Sequence, residues 1–109
     1  MTDRICIASN GTTQAHLSAQ DVASCDQLGD MGCNGGIPST VYQYWHRTGI
    51  VTGGNYGDKS MCWSYQLPPC AHHTNSTKYK PCPGEVKLPS CARKCENTDI
   101  DWAADKHHG

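Results

Sequence analysis

Eight cysteines in a chain of 109 residues limit the possible folds more strongly than any other feature of this sequence. Most of them follow residue 60, namely Cys62, Cys70, Cys82, Cys91 and Cys95. The same part of the chain contains five of the six prolines and shows no helical or strand periodicity. A segment of this kind is typically held by disulfides rather than by a core of its own. The residues alone do not choose among the roughly one hundred possible full pairings.

Large aliphatic side chains are too scarce to build an ordinary hydrophobic core. The chain has five isoleucines, four leucines, four valines and no phenylalanine, together 13 of 109 residues. A content below roughly 20% is usual for disordered chains of high net charge, but the net charge here is only −1. We therefore expect cross-links, or chain outside this sequence, to replace the missing core. We also expect residues 1–109 not to be stable in isolation.

Two Asn-x-Ser/Thr sequons, at Asn10 and Asn75, are candidate glycosylation sites. Together with the cysteines they predict a secretory, lysosomal or extracellular protein. Residues 1–6 lack the apolar stretch of a signal peptide, so we expect a front end outside this sequence. The near-neutral charge disfavours nucleic acid and anionic membranes as partners, and no apolar run of about 18 residues is present.

The first strong helix signal begins at Ser18, which has the character of an N-cap residue. Asp21 stands three positions later, where a capping box places its acidic residue. The pattern predicts a short helix that ends at about Cys25 or Leu28.

A second helix is predicted between Pro38, which suits a first turn, and Gly49, which suits the position after a helix end. Tyr44 and Trp45 belong to an apolar face that also includes positions 41 and 48, and we interpret this face as packing against a core. The last five residues, 105–109, show no pattern that would anchor them.

A polar loop between Cys70 and Cys82 carries the adjacent histidines His72 and His73 and the second sequon. We call residues 70–82 the flap. If the two cysteines bond, closing this loop contributes about 3 kcal/mol in the chain-entropy model. A pair of adjacent histidines most often lies on the solvated surface and has no specific role. A zinc site would need Cys-x-x-Cys or finger-like His spacing. Neither spacing occurs, so we expect no metal and no cofactor.

Several motifs, taken in order, resemble those of papain-like cysteine proteases. They are Asp3–Cys6, Leu17–Asp21, Gly32–Gly36 and Tyr65–His73, and the last of these together with Asp105–Gly109 resembles the cathepsin B branch. The resemblance implies an α+β papain-like fold, represented here by its mainly helical half and an occluding loop. It implies a partial peptidase domain over residues 1–109, with residues 70–82 inserted in it as the occluding loop.

The resemblance assigns Gly35 and Gly36 to the substrate cleft, where their backbone pairs with an extended peptide. Ile37 and Pro38 would border the pocket for the second substrate residue upstream of the cleaved bond. The plain alternatives are a tight turn after a cysteine for the glycines and simple helix initiation for Pro38.

His72 and His73 would anchor the terminal carboxylate of a substrate through a charge-assisted hydrogen bond. A loop that blocks the cleft in this way turns an endopeptidase into a peptidyl-dipeptidase. Peptide or protein substrates and protein inhibitors of cysteine proteases are the partners that this resemblance implies.

In the resembling family, the nucleophilic cysteine lies in a Cys-Gly-Ser-Cys-Trp motif, and the catalytic histidine and asparagine lie far downstream. None of the three has a counterpart here, so we expect an internal fragment that has no catalytic residue and is inactive alone. Two alternatives remain open at this point. One is a small disulfide-rich secreted binding or inhibitor module, and the other is a non-catalytic pseudo-protease piece.

The resemblance also implies a disulfide pattern that leaves two thiols without a partner in this chain. The implied pairs are Cys70–Cys82, Cys62–Cys95 and Cys25–Cys91, and the two remaining thiols are Cys6 and Cys33.

Overall fold

The computed structural model describes all residues from 1 to 109. Three α-helices occur in the first half of the chain: α1 at Thr2–Ala8, α2 at Ala19–Cys25 and α3 at Pro38–Arg47. A single 3-10 turn, Gly32–Asn34, lies between α2 and α3. Beyond α3 the chain consists of loops, turns and isolated bridges. None of these helices has the length and apolar character needed to cross a membrane.

Helix α1 covers the apolar segment that precedes the first sequon. Asn10 and Gly11 follow it with φ angles of 54° and 78°, which turn the chain away from the helix axis. The amide of Gly11 donates to the carbonyl of Cys6 at 2.8 Å and closes the helix end.

Helix α2 begins as the sequence predicts, because the hydroxyl of Ser18 accepts from the amide of Asp21 at 3.1 Å. The second half of the capping box is absent. The amide of Ser18 donates to the carbonyl of Val51 at 2.8 Å instead. The carboxylate of Asp21 is therefore free for tertiary contacts, and α2 ends at Cys25 rather than continuing to Leu28.

Helix α3 has Pro38 in its first turn, and Gly49 follows its end with a φ of 79°. Both positions agree with the sequence prediction. The side chains of Tyr44 and Trp45 are buried, whereas Thr48 is exposed. The packing face is thus narrower than the pattern suggested.

Only 16 of the 109 residues are buried, and seven of their eight hydrophobic members form two small clusters. The first contains Leu17, Tyr44, Trp45 and Ile50, and the second contains Val51, Cys62 and Trp63. The clusters meet at the consecutive residues Ile50 and Val51. A core of this size agrees with the scarcity of aliphatic residues.

The chain end is anchored, contrary to the expectation from the sequence. His107 and Ile50 exchange two backbone hydrogen bonds of 2.9 and 3.0 Å. The carboxylate of Asp105 accepts from both the amide and the hydroxyl of Thr52, each at 2.7 Å. The prediction failed because a short polar segment carries no periodicity, while its partners lie more than fifty residues away.

Asp21 is completely buried and joins this chain end to α2 and α3. One carboxylate oxygen accepts from the hydroxyl of Tyr44 at 2.8 Å. The other accepts from the amide of Val51 at 2.9 Å and from Nζ of Lys106 at 2.8 Å. Burial, and then the negative charge of Asp21, raise the pKa of Tyr44 well above its usual range. We call Asp21, Tyr44, Val51 and Lys106 the buried polar cluster.

Three disulfides hold the second half of the chain. They are Cys25–Cys91, Cys62–Cys95 and Cys70–Cys82, with sequence separations of 66, 33 and 12 residues. These are the pairs that the resemblance implies. Cys6 and Cys33 are free thiols in this structure.

Candidate active-site cleft and flap

A tight turn after the 3-10 helix exposes the glycine pair. The amide of Met31 donates to the carbonyl of Gly35 at 2.8 Å, and the amide of Ile37 donates to the carbonyl of Gly29 at 3.2 Å. These bonds form an isolated antiparallel bridge between Asp30 and Gly36. The bridge fixes the direction of the chain as it enters α3.

Gly36 is exposed, and neither its N–H nor its C=O is hydrogen-bonded within the chain. In an antiparallel bridge, a residue whose neighbours make the bonds points its own polar groups to the opposite side. That side of Gly36 is therefore an unpaired edge. Its neighbour Gly35 adopts a φ of 95°, and a Cβ built there would meet no atom within 4 Å. Glycine is thus required at position 35 by the backbone angle, and the space beside it is open.

A shallow apolar hollow of about 350 Å³ lies next to this edge. Gly36, Ile37 and Pro38 line it, whereas Gly35 does not. Ile37 is 56% exposed, so its side chain is open to contact with an external apolar group. Three of the four residues expected at the substrate cleft are therefore brought together.

The hollow has further walls that sequence reasoning missed. Val41 and Tyr42 lie three and four positions after Pro38 and line the same hollow. Helical spacing places them on the same face as Pro38, so this signal was available. Met1 and Asp30 also line the hollow. No local pattern indicates Met1, because it reaches the site from the start of α1.

The flap is closed at its neck by backbone pairing as well as by its disulfide. The amide of Ala71 donates to the carbonyl of Lys80 at 2.7 Å, and the amide of Cys82 donates to the carbonyl of Ala71 at 3.1 Å. At the tip, the hydroxyl of Ser76 accepts from the amides of Lys78 and Tyr79, each at 3.1 Å. A loop without helix or strand thus has a defined path.

His72 and His73 lie on this flap, both exposed, with ring centroids 3.9 Å apart. Neither imidazole forms a hydrogen bond with another part of the chain, so both remain available to an external acceptor. His73 adopts a φ of 52°, a left-handed conformation that histidine tolerates better than most residues other than glycine. No flap residue lines the hollow beside Gly36.

The remaining predicted sites are separate from the cleft. Asn10 and Asn75 are both exposed, so each sequon is accessible for modification. Cys6 is half-buried on α1, and Cys33 is exposed in the 3-10 turn. No group of three or more His, Cys, Asp or Glu side chains has the arrangement of a metal site.

The sequence of the whole chain, residues 1–109, matches the family described as papain family cysteine protease. Cathepsin B-like cysteine proteinase 6 from Caenorhabditis elegans is 46% identical over 112 residues, which cover 100% of this chain and 30% of that protein. Cathepsin B-like cysteine proteinase 1 from Ostertagia ostertagi is 46% identical over 95 residues, with coverages of 87% and 28%. The corresponding proteinase from Schistosoma japonicum is 42% identical over 111 residues, with coverages of 100% and 32%.

A solved structure shows the same relationship. Procathepsin B S9 from Trypanosoma congolense superimposes with a TM-score of 0.59 at 27% sequence identity. The match covers 92% of this chain and 27% of that one. The chain therefore spans about a third or less of the length of each protein that it resembles here.

Proposed function

Because this chain belongs to the papain family of cysteine proteases, we propose that it is the part of a cathepsin B-like cysteine peptidase that carries one wall of the substrate cleft and the occluding flap. The observation that carries this proposal is the unpaired, exposed backbone of Gly36 beside an apolar hollow. An extended peptide can add its own N–H and C=O groups to such an edge. Ile37 and Pro38 then contact an apolar substrate side chain in the hollow.

In this proposal, the groups that cleave the peptide bond lie outside residues 1–109. A thiolate nucleophile, activated by a histidine that an asparagine orients, would come from other parts of the full-length protein. The chain covers only 28–32% of the curated relatives, so most of the length of those proteins has no counterpart in residues 1–109. Residues 1–109 would bind and orient the peptide but would be inactive alone.

His72 and His73 give the flap its role in this proposal. Their imidazoles have no partner within the chain, and as imidazolium ions they donate charge-assisted hydrogen bonds to the terminal carboxylate of a substrate. The flap would then restrict the cleft to two residues beyond the cleaved bond. The full-length protein would act as a peptidyl-dipeptidase in addition to cleaving internal bonds.

A lysosomal or extracellular setting is part of the same proposal. Three disulfides, one of them across the flap, support an oxidising compartment. The exposed sequons at Asn10 and Asn75 support glycosylation. Peptides, proteins and protein inhibitors of cysteine proteases would be the partners.

The test replaces His72 and His73 with alanine in the full-length protein. Dipeptide release from peptides with a free C-terminal carboxylate should fall about 10- to 100-fold, because one or two charged hydrogen bonds are lost. Cleavage of an internally quenched peptide with an amidated C-terminus should change little. His16→Ala, an exposed histidine outside the flap, is the matched control.

Two results of this test would contradict the proposal, one for the role of the histidines and one for peptidase activity itself. An equal loss of both activities in the flap variant would contradict the anchor role. Absence of any peptide hydrolysis that thiol-alkylating reagents block would contradict the peptidase proposal and favour a pseudo-protease.

A further inference from the structure

A second and larger depression lies between the flap and the residues on either side of it in the sequence. We call the chain outside residues 70–82 the body. It has a volume of about 1210 Å³ and shares no lining residue with the hollow beside Gly36. Tyr56 and Tyr65 line it on the body, and Tyr79 lines it on the flap. Four prolines in and next to the flap complete its walls. We call this depression the flap groove.

The charges along the flap groove have one sign. Lys78 and Lys80 line it, and none of its lining residues is an aspartate or glutamate. Neither ammonium group is paired, because the one ion pair of the chain joins Lys106 to Asp21 elsewhere. Nζ of Lys78 lies 5.1 Å from the ring centroid of Tyr79, so positive charge and aromatic surface are adjacent. The groove is thus apolar at its walls and positively charged along its flap side.

We propose that the flap groove docks an acidic, proline-containing peptide segment of a partner protein. Grooves lined by aromatic rings and prolines accommodate extended peptides, whose flat faces pack on the rings. Unpaired lysines attract and orient acidic side chains of such a segment. The volume exceeds the roughly 300–1000 Å³ of ordinary small-molecule sites and suits several residues of peptide. A sulfated polysaccharide would satisfy the lysines but would leave the tyrosine and proline surfaces uncovered.

Docking has a consequence for the flap, and this second step rests on the function proposed above. Tyr79 and both lysines belong to the flap, whereas Tyr56 and Tyr65 belong to the body. A peptide that contacts both sides therefore stabilises the position in which the flap lies against the body. Occupancy of the groove shifts the balance between dipeptide release and internal cleavage.

Binding is tested first, with the full-length protein and its active thiol alkylated. The probe is a fluorescent ten-residue peptide of alternating glutamate and proline, with both ends blocked so that His72 and His73 have no terminal carboxylate to bind. Fluorescence anisotropy should show saturable binding. Lys78→Glu with Lys80→Glu should weaken it about 10-fold or more, since two attractive contacts become repulsive.

The matched control reverses the charge of two exposed lysines outside the groove, through Lys59→Glu with Lys94→Glu. It has the same net charge as the test variant. It should bind within about 2-fold of the unmodified protein at physiological salt, where distant surface charges are screened. Tyr65→Ser with Tyr79→Ser should also weaken binding, since the aromatic walls are removed.

Three results would overturn the proposal. They are no saturable binding up to about 1 mM peptide, equal weakening in the control variant, and full binding after loss of the tyrosines. The last result would assign the groove to anions in general, such as sulfated polysaccharides.

The second arm measures activity. In the active enzyme, saturating peptide should change the ratio of dipeptide release to internal cleavage, and it should not do so in the Lys78→Glu, Lys80→Glu variant. Peptide binding should persist in the His72→Ala, His73→Ala variant, so that a failure of the anchor role and a failure of the groove are distinguishable. Binding without any change of the ratio would overturn the coupling to the flap.

Discussion

Two regions of this chain are ordered by different physical means. The helical region, residues 1–53, contains all three α-helices and 13 of the 16 buried residues. The cysteine-rich segment, residues 54–104, contains the other three and has no helix or strand. It carries five of the six cysteines that form disulfides. Burial and hydrogen bonding order the first region, whereas cross-links order the second.

The difference indicates which substitutions should destabilise each region. In the helical region, stability depends on specific contacts in the folded state, above all the buried polar cluster around Asp21. In the cysteine-rich segment, much of the stability comes from restricting the unfolded chain, which a disulfide does regardless of local packing. Substitutions should therefore have different effects in the two regions, and the following expectations run from the largest effect to the smallest.

The disulfide that joins the two regions should matter most. Cys25→Ala with Cys91→Ala opens a closed loop with a sequence separation of 66. The chain-entropy model then predicts a loss of about 4 kcal/mol in the free energy of unfolding of the full-length protein. Chemical denaturation measures this loss. Cys70→Ala with Cys82→Ala is the comparison, since it opens a separation of only 12 and should cost about 3 kcal/mol in the same model. A larger global effect from the flap pair would contradict the proposed hierarchy.

Asp21→Asn should be the most damaging single substitution in the helical region. It leaves the Lys106 ammonium, whose side chain is only 10% exposed, without its counter-ion. Breaking a buried pair by removing one partner costs about 3–5 kcal/mol. The lower end, about 3 kcal/mol, is expected here because Lys106 keeps some contact with solvent, and thermal denaturation of the full-length protein should show it. Asp99→Asn, at an exposed carboxylate of the cysteine-rich segment, should be neutral. Equal melting temperatures for the two variants would refute the importance of the cluster.

Alkaline pH should weaken the helical region through Tyr44. In the unfolded chain its hydroxyl ionises near pH 10, whereas burial and the charge of Asp21 raise its pKa in the folded state. Above about pH 10 the unfolded state therefore releases a proton that the folded state keeps, and stability falls as pH rises, with a slope of one proton.

Urea denaturation of the full-length protein between about pH 9 and 11, with free thiols blocked to prevent exchange, measures this slope. Tyr44→Phe should be less stable at neutral pH but should have a slope that is smaller by about one proton. An unchanged slope would contradict the assignment.

Shortening single apolar side chains should change the free energy of unfolding least. The change should be clear only where the side chain is buried in the helical region. Ile50→Val removes one methylene from a residue that is 1% exposed and should cost about 1 kcal/mol. Ile7→Val, at a residue that is 75% exposed, is the matched control and should be neutral. Val86→Ala in the cysteine-rich segment, where the side chain is 43% exposed, should also stay within about 0.5 kcal/mol. A loss at Val86 comparable to that at Ile50 would contradict the absence of an apolar core around Val86.

The sequence by itself determined the features whose causes lie within a few residues. Ser18 caps α2, Pro38 opens α3 and Gly49 follows its end, because each signal acts through the local backbone. The shortage of aliphatics correctly indicated a small core. The disulfide partners were different, since the residues alone left the pairing open and only the resemblance to a known family selected one pattern.

Only the tertiary structure decided the features that depend on distant segments. Asp21 looked like a helix-capping residue, yet its carboxylate binds Val51 and Lys106, 30 and 85 positions away. The last five residues looked unanchored, yet His107 pairs with Ile50. The unpaired edge at Gly36 arises from a bridge that its neighbours make. Local patterns cannot encode such contacts, because a polar residue carries the same sequence signal whether water or a distant segment satisfies it.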